Sequence, residues 1–257
     1  MNKRKILPKT KHEIAIMREG GKRLAQVILE TEAAVLPGVS LLSLDKLAHN
    51  LMIKFDSIPA FLNYRPNGAK KPYPASICAS INETIVHGVP NERIIKNGDI
   101  LKLDFGLRYK GYCVDAAITV IVGKVSQEVS KLVEVTKESL YLAINEARSD
   151  KTLGDIGEAI YSHTKKYGLT VLEGLTGHGI GRLLHDDPEV LNYGTRGKGM
   201  QLFNGLTLAI EPMISLGSET IVQSADESYR TSDNSLSAHF EHTVLITNSD
   251  PIILTTL

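Results

Sequence analysis

Leu101-Lys102-Leu103-Asp104-Phe105-Gly106 and, a few residues on, Gly111-Tyr112-Cys113-Val114-Asp115 decide how this chain is read. Both runs alternate as strands do, and Arg108-Tyr109-Lys110-Gly111 lies between them with a glycine suited to a turn. Strand side chains alternate faces with a period of two, so Asp104 leaves the face opposite Leu103 and Phe105. With Tyr109-Lys110 as the turn centre, Asp104 is expected directly across from Asp115. Directly opposed side chains hold their Cβ atoms about 4.5–5.5 Å apart, and like charges at that spacing destabilise the pair. Two solvated acids on an edge hairpin would carry the same pattern. A bound cation is the sharper reading, and it directs a search for further ligands.

Working outward, the size and composition bound the answer. The chain has 257 residues, enough for one large domain or two small ones and for a sizeable core. Its 29 basic residues balance 29 acidic ones, so no basic stripe points to nucleic acid and no acidic tail points to disorder. Met1 to Lys11 is basic, but no apolar run follows it, and a signal peptide is not expected. No run of about 18 apolar residues suggests a membrane span. Cys78 and Cys113 are too few for a disulfide framework, which fits a reducing cytoplasm.

Upstream of the hairpin, residues 12–35 read as a helix through Ile14, Met17, Leu24, Val27, Ile28 and Val35, stopped by Pro37-Gly38. Ser40 or Ser43 can cap a second helix carrying Leu44, Leu47, Leu51 and Ile53. Pro59 to Pro74 is rich in turn formers and reads as a loop. Ser76 to Ser80 reads as a short strand, and Asn82-Glu83 turns the chain into Thr84 to Pro90, where His87 ends an apolar run. Downstream, Glu128 to Arg148 reads as a helix whose apolar side includes Leu140 and Leu142, and Thr152 can cap another that ends near Gly168. The run Gly174 to Arg182 is glycine-rich but lacks the Lys-Ser/Thr of a phosphate loop. Strands are expected over Leu206 to Met213, containing Glu211, and over Ser237 to Thr247, containing Glu241.

The two halves repeat. Helix, turn and helix open each, and Asn97-Gly98 precedes Asp104 by the same seven residues that separate Asn204-Gly205 from Glu211. Asp115-Ala116-Ala117-Ile118 likewise parallels Glu241-His242-Thr243-Val244. A duplicated, pseudo-twofold domain brings four carboxylates to one axis. Four buried carboxylates cannot all ionise side by side without a cation. Hard oxygen ligands favour Mn, Fe, Co or Mg, and one histidine tilts the choice toward the transition metals. His178, among glycines that let backbone crowd a site, is the candidate nitrogen ligand. His87 and His185 would then lie nearby as hydrogen-bond donors or acid–base groups.

Taken together, these motifs resemble those of bacterial, class I methionine aminopeptidases. The matching stretches are Ser80-Ile81-Asn82-Glu83 with His87-Gly88-Val89-Pro90, and Asp104 and Asp115 eleven apart. Gly177-His178-Gly179-Ile180-Gly181 with His185, Ile210-Glu211-Pro212-Met213, and Ser235 to Ala238 with Glu241-His242-Thr243 complete the set, which covers nearly the whole chain. The resemblance implies an α+β, pita-bread fold: two pseudo-symmetric halves, helices outside, antiparallel strands around a dinuclear site. It implies one catalytic domain over residues 1–257 with a short N-terminal segment, 1–11. It implies Asp104, Asp115, His178, Glu211 and Glu241 as ligands of two divalent ions drawn from Co, Mn, Fe or Zn, with Asp115 and Glu241 as the bridging or twice-coordinating carboxylates. His87 and His185 are implied to contact substrate, and Glu211 to handle the proton of the attacking water.

Tyr64, Tyr73 and Cys78 match the family's methionine-pocket residues, while Phe61 replaces a smaller one. Leu184 stands where relatives often carry Phe, the 63–74 loop is longer than usual, and the pocket tryptophan has no counterpart. The implied activity is removal of the initiator methionine from nascent proteins when the second residue is small. The implied protein is a cytoplasmic monomer with transient ribosome contact, no nucleic-acid specificity and no membrane. A proline-specific relative, prolidase or aminopeptidase P, is the second enzyme reading, but those carry a large extra N-terminal domain for which the pattern leaves no room. A pita-bread binding protein without metal should have lost ligands, and all five positions carry suitable side chains.

Overall fold

The structure is a computed structural model that describes residues 6–66 and 68–257. Helices α1 (Lys11–Glu32) and α2 (Leu41–Lys54) precede strands β1 (Ile58–Pro59), β2 (Ile77–Ile81), β3 (Thr84–Val86), β4 (Ile100–Tyr109) and β5 (Tyr112–Ile121). Helices α3 (Gln127–Glu146) and α4 (Leu153–Lys166) then precede β6 (Thr170–Val171), β7 (Thr176–Gly179), β8 (Asp186–Leu191), β9 (Thr207–Ile210) and β10 (Met213–Ser215). Strands β11 (Ile221–Gln223), β12 (Tyr229–Thr231), β13 (Ser237–His239), β14 (Glu241–Leu245) and β15 (Ile252–Ile253) complete the order.

Each long helix begins at a side chain that satisfies its free N–H groups. Thr10 and Glu13 form a reciprocal capping box on α1. Ser40 caps α2, which settles the choice between Ser40 and Ser43, and Ser126 caps α3. Asp155 accepts from both the N–H and the hydroxyl of Thr152 at the start of α4. Two expected apolar positions face solvent instead: Ile53 is 55% exposed and Leu142 is 40% exposed. Each lies on the outer side of its helix, while its neighbour in sequence, Met52 or Ala143, is fully buried.

The main antiparallel sheet has the order β1-β4-β5-β14-β9-β7-β8, with β2 also paired to β4 and β15 to β14. Its centre is the β5–β14 pair, where Glu241 faces Ala117 and His242 faces Ala116. On either side the order runs β4 then β2, and β9 then β7, so the two halves meet as the sequence repeat requires. Turn glycines Gly98 and Gly205 both have positive φ, 95° and 88°, at equivalent places. The repeat is not carried through evenly. The expected strands 206–213 and 237–247 are each broken: β9 stops at Ile210 and β13 stops at His239, and their continuations lie in different sheets. Pro212 has no N–H to continue a ladder, and Phe240 takes the chain from the small sheet β13-β10-β6 into the main one.

One face of the main sheet packs on the helices. A Cβ at Gly20 of α1 would touch Leu107, Tyr109 and Val114. In the second half, Leu140, Ala143, Ile156 and Ile160 pack with Leu208, Ile210 and Val244. By strand alternation the opposite face carries Asp104, Gly106, Asp115, Ala117, Glu241, Ala209 and His178. The helix-packed face therefore anchors the face that bears the acids.

Gly21 lies where the C-terminal segment crosses α1, and a Cβ there would run into the Leu254 carbonyl. Gly21→Ala is expected to cost about 1–3 kcal/mol as overpacking. Urea denaturation measures it, and an unchanged midpoint would show that this crossing does not contribute to stability.

Candidate metal centre

The central hairpin turns at Lys110-Gly111, with Tyr109 facing Tyr112. Both turn residues have positive φ, 46° and 84°, the conformation whose twist matches the flanking strands. This register corrects the expected direct opposition of the two aspartates. Asp104 faces Ala117 and Asp115 faces Gly106, so the acids are diagonal neighbours on one face. Gly106 keeps the space opposite Asp115 for another group: a Cβ there would meet the Phe61 ring. The Asp115 backbone is clamped by Thr243, whose Oγ1 accepts from Asp115 N–H at 2.8 Å and donates to its C=O at 2.8 Å.

The second half delivers its ligand candidates at strand ends. Glu211 follows the last residue of β9, and Asn192 Nδ2 donates to its backbone carbonyl at 3.0 Å. Glu241 opens β14 opposite Ala117, a residue small enough to leave room above it. His178 pairs with Ala209 at a bulge in the β7–β8 ladder. Its Nδ1–H donates to Gly179 O at 3.0 Å, leaving the Nε2 lone pair free. That nitrogen lies 3.5 Å from Glu211 Oε1 and 3.9 Å from Asp115 Oδ2.

The five expected ligand residues therefore meet. Ligand atoms of Asp104, Asp115 and Glu241 lie within 4.8 Å of one another, as do those of His178, Glu211 and Glu241. A third group of the same size joins Asp115 and His178 to His185. Burial raises every carboxyl: Asp104 and Glu211 each to about 7, and Asp115 and Glu241 well above the ordinary carboxylate range, with the neighbouring acids adding to burial at Asp115 and Glu241. Asp104 Oδ1, Asp115 Oδ1 and Glu241 Oε1 are buried with no hydrogen-bond partner among the described residues. Orphaned carboxyl oxygens beside a free imidazole nitrogen fit a divalent cation, which supplies the charge that would let these groups ionise and the missing partners.

His185 and His87 border this group. The His185 ring lies 4.5 Å from that of His178, and Tyr64 Oη meets His185 Nδ1 at 3.1 Å. His87 adopts φ 59°, a conformation costly for a residue with a Cβ, and packs edge-on to Tyr229 at 5.7 Å. Protein surrounds both rings although solvent reaches them, and this burial lowers His87 to about 4 and His185 to about 3. Of the remaining expected site residues, Cys78 faces Asp104 across the β2–β4 pair. Phe61 stands edge-on to Tyr73, 6.4 Å away. The Tyr73 hydroxyl is held by the carbonyls of Gly88 and Ile77, at 2.9 and 3.1 Å, which ties it to the His87 turn.

Three buried neighbours were not singled out from the sequence. His239 Nε2 lies 3.5 Å from Glu211 Oε2. Lys102 shares the face of Asp104 and donates to Asn82 O at 2.6 Å. Asn192 holds the Glu211 backbone as described. Strand alternation places Lys102 two residues from Asp104, a signal that was there to use. Asn192 and His239 come from segments whose approach only folding decides.

An acid-rich centre with one free imidazole nitrogen, set on the inner face of a duplicated antiparallel sheet, defines the metal-dependent pita-bread class. The chain belongs to metallopeptidase family M24, whose family model matches residues 15–248. It is 44% identical over 252 residues to a methionine aminopeptidase of Aquifex aeolicus, covering 96% of this chain and 98% of that protein. The crystal structure of methionine aminopeptidase from Thermotoga maritima matches with a TM-score of 0.94 at 39% identity, covering 98% of this chain and 100% of that one. Prolidase from Pyrococcus furiosus shares the fold, with a TM-score of 0.76 at 22% identity over 97% of this chain and 65% of that one. The pita-bread architecture is thereby borne out.

The raised carboxyls carry a pH signature. Asp104 and Glu211 move up from 3.8 and 4.5 to about 7. In metal-free protein their protonated forms stabilise the fold fully below the ordinary values, and that contribution is lost as pH rises through about 7. Above about pH 7 the lowered histidines are neutral in both states, so metal-free protein is expected to melt at a lower temperature at pH 8 than at pH 7, with added Mn(II) or Co(II) restoring stability at pH 8. A melting temperature independent of both pH and metal would contradict this account.

Proposed function

We propose that this chain is a methionine aminopeptidase that removes the N-terminal methionine from nascent proteins whose second residue is small. The observation that carries the reading is the gathering of four carboxyls, Glu211 partly and the others almost wholly buried, and the free nitrogen of His178 on one sheet face, in a chain of family M24. Asp104, Asp115, His178, Glu211 and Glu241 would hold two divalent ions, drawn from Co, Mn, Fe or Zn. Asp115 and Glu241 each take part in two donor groups, which supports them as the shared carboxylates. When bound, such ions polarise the scissile carbonyl and lower the pKa of a water.

The chain's own groups would do the rest. Glu211, whose Oε1 faces His178 and whose Oε2 faces His239, would take and return a proton at the centre. With Tyr64 Oη as donor to His185 Nδ1, Nε2–H of His185 would be left to donate to the substrate carbonyl oxygen. His87, fixed at the Tyr73-bonded turn, would contact substrate from the opposite wall. Phe61, Tyr64, Tyr73 and Cys78 would line the methionine pocket. We read residues 1–257 as one catalytic domain acting in the cytoplasm as a monomer, in transient contact with the ribosome. No helix among the described residues is long and apolar enough to cross a membrane. The proline-specific alternative shares fold alone at 22% identity, which favours the methionine reading.

Peptides beginning Met-Gly, Met-Ala or Met-Ser should be cleaved with added divalent metal, and Met-Lys or Met-Phe poorly. Efficient hydrolysis of Gly-Pro but not Met-Ala would move the chain to the proline-specific reading. The two histidines should separate. His185→Ala is expected to keep metal content while losing about 10²–10³ in turnover, the usual cost of one oxyanion donor. His178→Ala should lose metal affinity as well. Calorimetric metal titration paired with single-substrate kinetics measures both, and equal loss of metal in the two variants would overturn this division of roles.

A further inference from the structure

His239 is an imidazole of 1% exposure that the proposed ligand set does not use. It ends β13, paired with Met213, just before the break that releases Glu241 into the main sheet. Its backbone is fixed from both sides: Thr119 Oγ1 accepts from His239 N–H at 2.9 Å and donates to its C=O at 2.7 Å. Both ring nitrogens are buried without a hydrogen-bond partner among the described residues. A ring this constrained, with an unspent N–H, is expected to have an acceptor in its working state.

The acceptor within reach is Glu211. Its Oε2 lies 3.5 Å from His239 Nε2, and its Oε1 lies 3.5 Å from His178 Nε2, so each carboxylate oxygen faces a different imidazole. His178 spends its Nδ1–H on Gly179 O and offers a lone pair to the centre. His239 has no such bond, and a nitrogen facing a carboxylate carries the proton whether the ring is charged or neutral. A shift of about half an ångström would bring Nε2 and Oε2 to ordinary hydrogen-bond length.

We propose that His239 is a positioning residue: its Nε2–H donates to Glu211 Oε2 and keeps Oε1 turned to the His178 side of the centre. This role rests on the reading of Glu211 as a metal ligand. Carboxylates that bind metal are commonly held by an outer donor, and losing that donor typically costs about 10–100-fold in metal affinity or activity.

The test compares His239→Gln, which keeps an N–H donor, with His239→Leu, which keeps volume and removes it. Co(II) titration by calorimetry and the visible spectrum of the Co(II) protein are the readouts, with the melting temperature of metal-free protein as the check on folding. His239→Leu should bind Co(II) about 10–100-fold more weakly with an altered spectrum. His239→Gln should retain the wild-type affinity and spectrum. Wild-type binding and spectrum in His239→Leu, or equal damage in both variants, would overturn the role of His239 alone. A wild-type protein that binds no Co(II) would overturn the metal centre itself, and this role with it.

Discussion

Burial of Asp104, Asp115, Glu211 and Glu241 on one sheet face is the constraint to which the rest of the structure answers. Desolvation and mutual repulsion both disfavour ionising these groups together, and both push their pKa values up. Such a cluster does not stabilise a fold, since a buried charge costs more than an apolar residue in its place. It persists because stronger interactions elsewhere determine the backbone. The opposite face of the same sheet is packed on α1 to α4 by apolar side chains, and the central strands cannot move without breaking that core. Stability is supplied on one face and chemistry is held on the other.

The duplication makes this division workable. Two equivalent hairpin-like halves each bring two acids to the β5–β14 seam, and small residues at Ala117 and Ala209 leave the space above it open. The halves then diverge where function needs asymmetry. The first half keeps two unbroken strands of 10 residues each, which gives Asp104 and Asp115 a rigid spacing. In the second, the breaks after Ile210 and His239 put Glu211 just past the end of β9 and Glu241 at the first residue of β14. A strand end can aim a carboxylate in ways a mid-strand position cannot. The histidines are distributed in the same spirit, with His178 on the sheet, His185 on the segment after it and His87 on a turn held by Tyr73.

One wall beside the centre is aromatic. Phe61 covers Gly106 and meets Tyr73 edge-on, so this wall is built from rings in edge-to-face contact. No tryptophan exists to contribute. The 63–74 loop instead reaches across to the β11–β12 turn, where Lys70 N–H donates to Glu227 Oε1 at 3.0 Å. A polar strap thus spans two elements that otherwise have no shared hydrophobic core.

Much of this was legible in the chain itself. Period-two alternation put Asp104 and Asp115 on one face, capping residues located the helices, and the matching Asn-Gly offsets exposed the duplication. Those signals are local, arising from backbone sterics and unsatisfied N–H groups, and they survive without knowledge of neighbours. Register was not legible. Moving the turn from Tyr109-Lys110 to Lys110-Gly111 changes the partner of Asp104 from Asp115 to Ala117, and both turns suit the same residues. The strand breaks at Glu211 and Phe240 were missed because an apolar run looks continuous until two sheets compete for it. His239 shows the same limit. It stands two residues from Glu241, yet its ring meets Glu211 because β13 belongs to another sheet. The sequence by itself therefore determined which side chains exist for the chemistry and on which local face each stands. Tertiary structure alone decided which of them meet, because that depends on long-range strand pairing, whose free energy is shared by the whole sheet.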